Sequence, residues 1–479
     1  MHISKYAQPL KEVSALQHFD QFHLPDSFLW DDSSWLMQRS GYQVLSRPLN
    51  IYELHLGSWR RAGDGSFLTF REIAYYLVPY VKELGFTHVE LLPVSEYEED
   101  ASWGYRCTDP FSVTRRFGSP ADFMYLVNEL HRAGVGILLD WVCPCSADDL
   151  LQNEQTLISS ALLWPEHYHI DGLRPILLCE PPATARESVF LQHLNQAVSA
   201  ACPDVLMIAA GPHLTGAGFP LTWNTNWITR LLPYLRLDPY FRQYNHENLT
   251  VSRSPAEEPP AILPLSHDEI VHNKGSLLNK MPGSDPEKFA SVRAFYSYML
   301  AYPGKKLTMM GCEFGQWDEW HYDRSLDWHL LEQQSEDGLR HRQLRSFFKA
   351  ANAFYLKTPA LWQLDFSSDG FRWICSDDAS ANTVSFLRFD KQGRFSLIVS
   401  NFSPVFREHY RIGVPEPGQY EEVFTSDLAE FGGENRRNPS TKSENIPCHG
   451  MTHSLQVNLP PLSTVILQHA GTRSDKQQH

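Results

Sequence analysis

PADFMYLVNELHRAGVGILLDWV, residues 120–142, holds one complete structural unit. Pro120 stands where a first helical turn tolerates proline, apolar residues recur at helical spacing, and Gly134 closes the pattern. GVGILLDWV (134–142) then runs almost without a polar residue. A strand that is apolar on both faces belongs to a parallel sheet covered by helices.

Working outward, the same alternation recurs. IYELHLGSW (51–59) reads as a strand, LTFREIAYYLVPYVKELG (68–85) as a helix ending on glycine, and THVELLPV (87–94) as a strand. Downstream come HIDGLRPILL (169–178), VLMIAAG (205–211), AILPLSHDE (261–269) and KKLTMMGCEFGQ (305–316). Helical patterns such as SVFLQHLNQAVSAA (188–201) and PEKFASVRAFYSYMLAYPG (286–304) lie between them. LTWNTNW (221–227) is the only stretch left for a sixth strand. Eight such units predict an α/β fold, a (β/α)₈ TIM barrel, with strand four ending near Arg174 and strand seven near Asp268.

Beyond residue 365 the texture changes. FRWICSD, TVSFLRF, FSLIVSNF, HYRIGV, YEEVF, SLQVNL and STVILQ are short alternating runs between turns, which predict an all-β C-terminal sandwich. The expected plan is an irregular N-terminal extension over 1–45 carrying the patch SFLWDDSSWLMQR, the barrel over 46–365, the sandwich over 366–470, and a disordered tail over 471–479.

A net charge of −15 argues against a nucleic-acid partner. No apolar run reaches membrane-span length, and MHISKYAQPLKEVSAL lacks the layout of a signal peptide. The eight cysteines are scattered, as expected of reduced thiols in a cytoplasmic protein. Cys143-Pro144-Cys145 has neither a second pair nor redox-motif spacing, so no metal or cofactor is expected. Thirteen tryptophans suit core packing or, alternatively, stacking on sugar rings.

The strand rims carry a further pattern. IYELHLGSWRR, LVPYVKELGFTHVELLPVSE, SWGYR, TRRFGSPADF, LLPYLRLDPY, LPLSHDEIVHNKGSLLNKMPG, PGKKLTMMGCEFGQW and DRSLDWHLL together resemble the bacterial glycogen branching enzymes of the α-amylase clan, over roughly 20–468. The resemblance implies an α-glucan substrate and two-carboxylate retaining chemistry. In that chemistry an aspartate after strand four forms a glycosyl ester and a glutamate after strand five acts as acid and base. A further aspartate, in a His-Asp pair after strand seven, binds and distorts the sugar.

Carried over by motif, Tyr105, Asp140, Arg174, His267 and Asp268 match substrate-binding positions. The departures are as clear. The nucleophile position is Ile176 and the acid/base position is Ala210, followed by Gly211; Cys145 replaces the histidine that ends the strand-three motif. Of the family's three carboxylates only Asp268 remains. Only 36 positions separate Asp140 from Ile176, fewer than the family implies, and the family's N-terminal starch-binding-like sandwich is expected to be missing. Glu180 is the nearest substitute nucleophile. Three readings follow: a branching-enzyme-like protein that has lost glucosyl transfer and keeps weak α-glucan binding, a diverged active α-glucan enzyme, or an interaction subunit without a sugar site, with other glycogen-metabolism enzymes as partners. With no aspartate at 176, Arg174 must pair with Asp268 or Asp140, or reach water.

Overall fold

Eight parallel strands close into a barrel in the computed structural model, which describes residues 28–143, 150, 153–177, 185–211, 216–250 and 258–472. They are β1 (Asn50–Leu54), β2 (His88–Leu91), β3 (Gly136–Cys143), β4 (Gly172–Leu177), β5 (Leu206–Ala209), β6 (Leu221–Trp223), β7 (Ala261–Leu265) and β8 (Lys305–Met309). Each pairs with its sequence neighbours, and β1 closes the ring against β8 through Asn50↔Lys306 to Glu53↔Met309. The expected sixth strand is present but only three residues long, because Asn224 caps a helix over Thr225–Arg236 and ends it.

Capping chemistry fixes the helices that follow β1 and β2. Thr69 and Glu72 form a reciprocal capping box on Phe70–Leu84, which ends at Gly85 in the left-handed region. Ser119 and Asp122 do the same for Pro120–Arg132.

Two strand ends differ from expectation. β4 runs past Arg174 to Leu177, because Ile176 and Leu177 keep pairing with Val142 and Cys143 of β3. β7 stops at Leu265, short of Asp268, because His267–Glu269 turns into a 3₁₀ helix. The patch read as irregular also contains a helix, Ser33–Ser40, held by tertiary contacts that no sequence period reveals. Its Trp35 indole donates to Asp171 and its Arg39 pairs with Asp171 and Asp204, at the end of the barrel where the strands begin.

All seven C-terminal strands form. A further strand, Thr441–Lys442, lies within the stretch 434–445 that reads as a polar loop, where it pairs with Gln419–Tyr420. A six-stranded sheet faces a two-stranded one, with Leu397, Val399, Val465, Ile412, Val414 and Val457 between them. Alternate residues, Val384, Phe386, Ile398 and Ile466, point the other way and join the barrel's own core. Among the described residues no helix is long and apolar enough to cross a membrane.

Candidate functional site

Strand ends on the C-terminal side of a barrel carry its chemistry, and the sequence-predicted residues gather there. Asp140 in β3 and Arg174 in β4 are register partners. The Arg174 Nε donates to Asp140 Oδ1 at 2.7 Å and to Glu90 Oε1 of β2 at 2.9 Å, and Nη2 donates to Asp140 Oδ2. The guanidinium carbon lies 3.7 Å from the centre of the Trp223 ring, at the end of β6. Arg174 thus takes Asp140, one of its two expected carboxylate partners, and leaves Asp268 alone.

Tyr105 is delivered by a constrained turn. Gly104, before it, has φ +91, and a Cβ there would lie 2.4 Å from the Pro93 carbonyl oxygen, so only glycine fits. The Tyr105 hydroxyl donates to Asp140 Oδ2 at 2.5 Å, and its ring lies 5.9 Å from that of His267. Tyr105 is 5% exposed, so it belongs to the wall of the barrel mouth and does not project from it.

After β7, the 3₁₀ turn presents the His-Asp pair. Glu53 of β1 holds this turn by accepting from the His267 backbone N–H at 2.8 Å and from Nδ1 at 2.7 Å. Asp268 Oδ1 lies 3.7 Å from His267 Nε2, and its side chain is 28% exposed. It is therefore the most accessible of the predicted site carboxylates.

The buried charges at the mouth act on one another. Burial lowers the His267 pKa, but Glu53 and then Asp268 outweigh it and lift it to about 9. Burial likewise opposes charge on Arg174, and Asp140 and Glu90 overcome it. Glu90 is driven well up, first by burial and then by its neighbours Asp140 and Glu53, against the pull of Arg174. Burial and the Asp140 charge push the Tyr105 phenol well up, so it stays a donor.

One step nearer the mouth the chemistry stops. Ile176 shares the Arg174 face of β4 by strand alternation and pairs in register with Val142. It is 3% exposed and Ala210, just past β5, is 6% exposed; both belong to the apolar core. Neither residue can attack an anomeric carbon or move a proton. Cys145 and Glu180 lie outside the described residues.

Sequence reasoning missed Glu53, Glu90 and Trp223. A signal was available for the first two: each is the lone acid in an apolar strand, NIYEL and HVEL. A carboxylate fully buried in a barrel needs a cation or donor across the lumen. Trp223 had no such signal, since its contact with Arg174 depends on barrel closure.

A family model described as "Alpha amylase, catalytic domain" matches residues 75–173, ending one residue before Arg174. "Alpha amylase, C-terminal all-beta domain" matches 373–470. The 1,4-alpha-glucan branching enzyme GlgB of Cellvibrio japonicus is 40% identical over 506 aligned positions, covering 92% of this chain and 68% of that protein. That alignment is longer than the 479 residues of this chain, so the relative carries segments absent here. GlgB of Aquifex aeolicus is also 40% identical, with 93% of this chain and 80% of that protein covered. Among solved structures, the alpha-amylase from Geobacillus thermoleovorans, complexed with acarbose, superposes with TM-score 0.62 at 13% identity, covering 88% of this chain and 98% of that one. The alpha-amylase from H. orenii gives 0.63 at 15%, covering 88% and 99%. At such identities these two show the fold alone.

Proposed function

Because the chain belongs to the 1,4-alpha-glucan branching enzyme (GlgB) family, we propose that it is a member that recognises α-glucan at the barrel mouth and has lost glucosyl transfer. The observation that carries this is the pair Ile176 and Ala210, buried apolar side chains at the nucleophile and acid/base positions. Retaining transfer needs two carboxyl groups about 5–5.5 Å apart across the scissile bond. Of the carboxylates described at the mouth, Asp140 is committed to Arg174 and Tyr105, Glu90 to Arg174 and Glu53 to His267, which leaves Asp268 without a counterpart across the scissile bond. Glu313, after β8, accepts from Tyr52 and Tyr80. Losing the acid/base group alone removes about 10²–10⁴-fold in rate, and losing the nucleophile removes the covalent route itself.

Binding is favoured by what is left. Arg174 is neutralised deeper in the barrel, so Asp268 stays partly open to a sugar hydroxyl. Amylose incubated with the protein is expected to show no iodine spectral shift and an unchanged chain-length profile. Robust turnover that Glu180→Gln abolishes would overturn the loss of transfer. Maltoheptaose is expected to bind with a Kd in the high-micromolar to millimolar range, about −4 to −5 kcal/mol, and Asp268→Ala to weaken it.

A further inference from the structure

Arg293 is 4% exposed, yet it forms no ion pair among the described residues. Burial pulls its pKa down to about 10, with Asp427 acting the other way. Asp427 does not pair with it, because that carboxylate accepts from the Glu434 and Arg436 backbone N–H groups. The other buried arginines are settled. Arg174 and Arg388 face carboxylates, and Arg242 uses all three guanidinium nitrogens on backbone carbonyls. Arg293 uses two, Nε on the Ser426 carbonyl at 3.0 Å and Nη2 on the Gly432 carbonyl at 3.4 Å. Its Nη1 donates to none of the described residues and is not one of the unpartnered atoms sealed from solvent, so it faces open space.

That space is a cavity of about 210 Å³. Its wall draws Arg293 from helix Asp285–Ala301, Arg340 and Gln343 from helix Glu336–Lys357, and Gly432 from just past the turn Ala429–Phe431. Gly432 has φ +82, and a Cβ on it would lie 2.9 Å from Gln343 Oε1 and 3.7 Å from Arg293 Nη1. The missing side chain leaves room beside Nη1. Arg340 is countered by Glu336, whose side chain is 82% exposed, and by Asp337 at 3.9 Å. Pairs of that exposed kind hold weakly. Arg293 has no carboxylate where it meets the cavity.

A buried cation without a partner is costly, and a guanidinium matches an oxyanion in both charge and geometry. Two guanidinium groups from different helices suit an anion whose oxygens point several ways. The net charge of −15 repels anions in general, so an anion held here is held by these two groups. The volume falls below the about 300–1,000 Å³ of drug-sized ligands, which restricts the occupant to a small one. We propose that this cavity binds a phosphoryl oxyanion, as inorganic phosphate or as the head of a small phosphate monoester, and that the anion fastens barrel to sandwich through Arg293. The site is independent of the α-glucan reading.

Thermal unfolding of the full chain tests it, with inorganic phosphate, glycerol phosphate or sodium chloride added at equal ionic strength. A ligand held only by the folded state raises the midpoint with its concentration. The wild type is expected to rise saturably with phosphate and not with chloride. Gln343→Glu places a carboxylate beside Nη1; it should unfold no earlier than the wild type without phosphate, and need about tenfold more phosphate for the same rise. Arg293→Met should lose the response altogether. That variant also loses its bonds to the Ser426 and Gly432 carbonyls, so Gln343→Glu decides the matter if it does not fold. Whether phosphate or its glycerol ester binds tighter tells the two sources apart, and either order supports the site. An equal rise with chloride, no rise in the wild type, or a wild-type phosphate response in Gln343→Glu overturns it.

Discussion

The two ends of the barrel are built on buried charge, and they use it differently. At the end where the strands begin, Asp171 accepts from the Trp35 indole, the Arg39 guanidinium, His131 Nε2 and the Ile137 N–H, all at 2.7–3.0 Å. Asp32 accepts from His131 Nδ1 and His169 Nδ1. Asp171 accepts on both oxygens and Asp32 accepts twice on Oδ2, and together they lock helix Ser33–Ser40 onto the barrel. At the mouth, His267 Nε2 and Glu90 Oε2 have no hydrogen-bond partner among the described residues, and Asp268 is partly open. A barrel's closed end serves stability and its mouth serves ligands. The mouth thus keeps polar atoms free where the closed end uses them.

The largest expected effect breaks the saturated end. Asp171→Ala would remove four hydrogen bonds at once, leaving His131 to Asp32 alone and Arg39 to Asp204 alone, and breaking a buried ion pair costs about 3–5 kcal/mol. Denaturant unfolding should show that loss. Near-wild-type stability would mean that the bottom network does not hold the N-terminal helix.

The next effect separates the two ends by pH. His267 is lifted to about 9, above the roughly 6.5 of a free imidazole, so the folded protein holds its proton more tightly than the unfolded chain. Its contribution is fully present below about pH 6.5 and is lost as pH rises to about 9. The whole change is on the order of 3 kcal/mol. At the closed end, Asp171 and Asp32 are lowered, despite burial, by His131 among others. Their contribution is present above the ordinary carboxylate range and lost on acidification. His131 is raised, chiefly by Asp171 against burial, so its own share also fades as pH rises. His267→Gln should flatten the alkaline slope of stability between pH 6.5 and 9 and leave the acid limb unchanged. A slope equal to wild type would assign that proton elsewhere.

Arg174→Met ranks third. Glu90 and Asp140 can answer the loss of the cation by keeping a proton between them, so about 1–3 kcal/mol is expected at neutral pH. The deficit should shrink as pH falls, because the variant's carboxylates then bind the compensating proton. A deficit that grows on acidification would contradict the pairing of Arg174 with Asp140 and Glu90.

How much of this was legible in the chain varies by element. The near-continuous apolar runs and their capped helices announced a closed parallel barrel, and motif order singled out His267, Asp268, Tyr105, Asp140 and Arg174, which the strand ends bring near one another. The gathering of Tyr105, Asp140 and Arg174 into one hydrogen-bonded group follows from strand register. Glu90 and Trp223 were not read as Arg174 partners, because what lies across a barrel lumen is set by closure and not by local periodicity. Strand ends escaped for a related reason: β4 continues while Val142 and Cys143 supply pairing partners, and β7 stops where Glu53 captures the next turn. Helix Ser33–Ser40 has a weak pattern of its own and exists through Trp35 and Arg39.

The smallest effect probes the mouth most finely. Tyr105→Phe removes one hydroxyl and nothing else. That hydroxyl is donated to Asp140 Oδ2, an oxygen that also accepts from Arg174 Nη2. Asp140 therefore stays paired and no buried charge is stranded, so the cost should be that of one hydrogen bond to a charged group partly compensated by its neighbour, about 1 kcal/mol. Its consequence for ligand is sharper. If the hydroxyl is committed to Asp140, a sugar cannot use it, and maltoheptaose affinity in Tyr105→Phe should match wild type within about twofold, while Asp268→Ala weakens it. Calorimetric titration of the two variants side by side decides the point. Equal and large losses in both would show that Tyr105 releases Asp140 and turns to the sugar on binding, making the mouth a responsive site; the arrangement seen here would then be only its resting state.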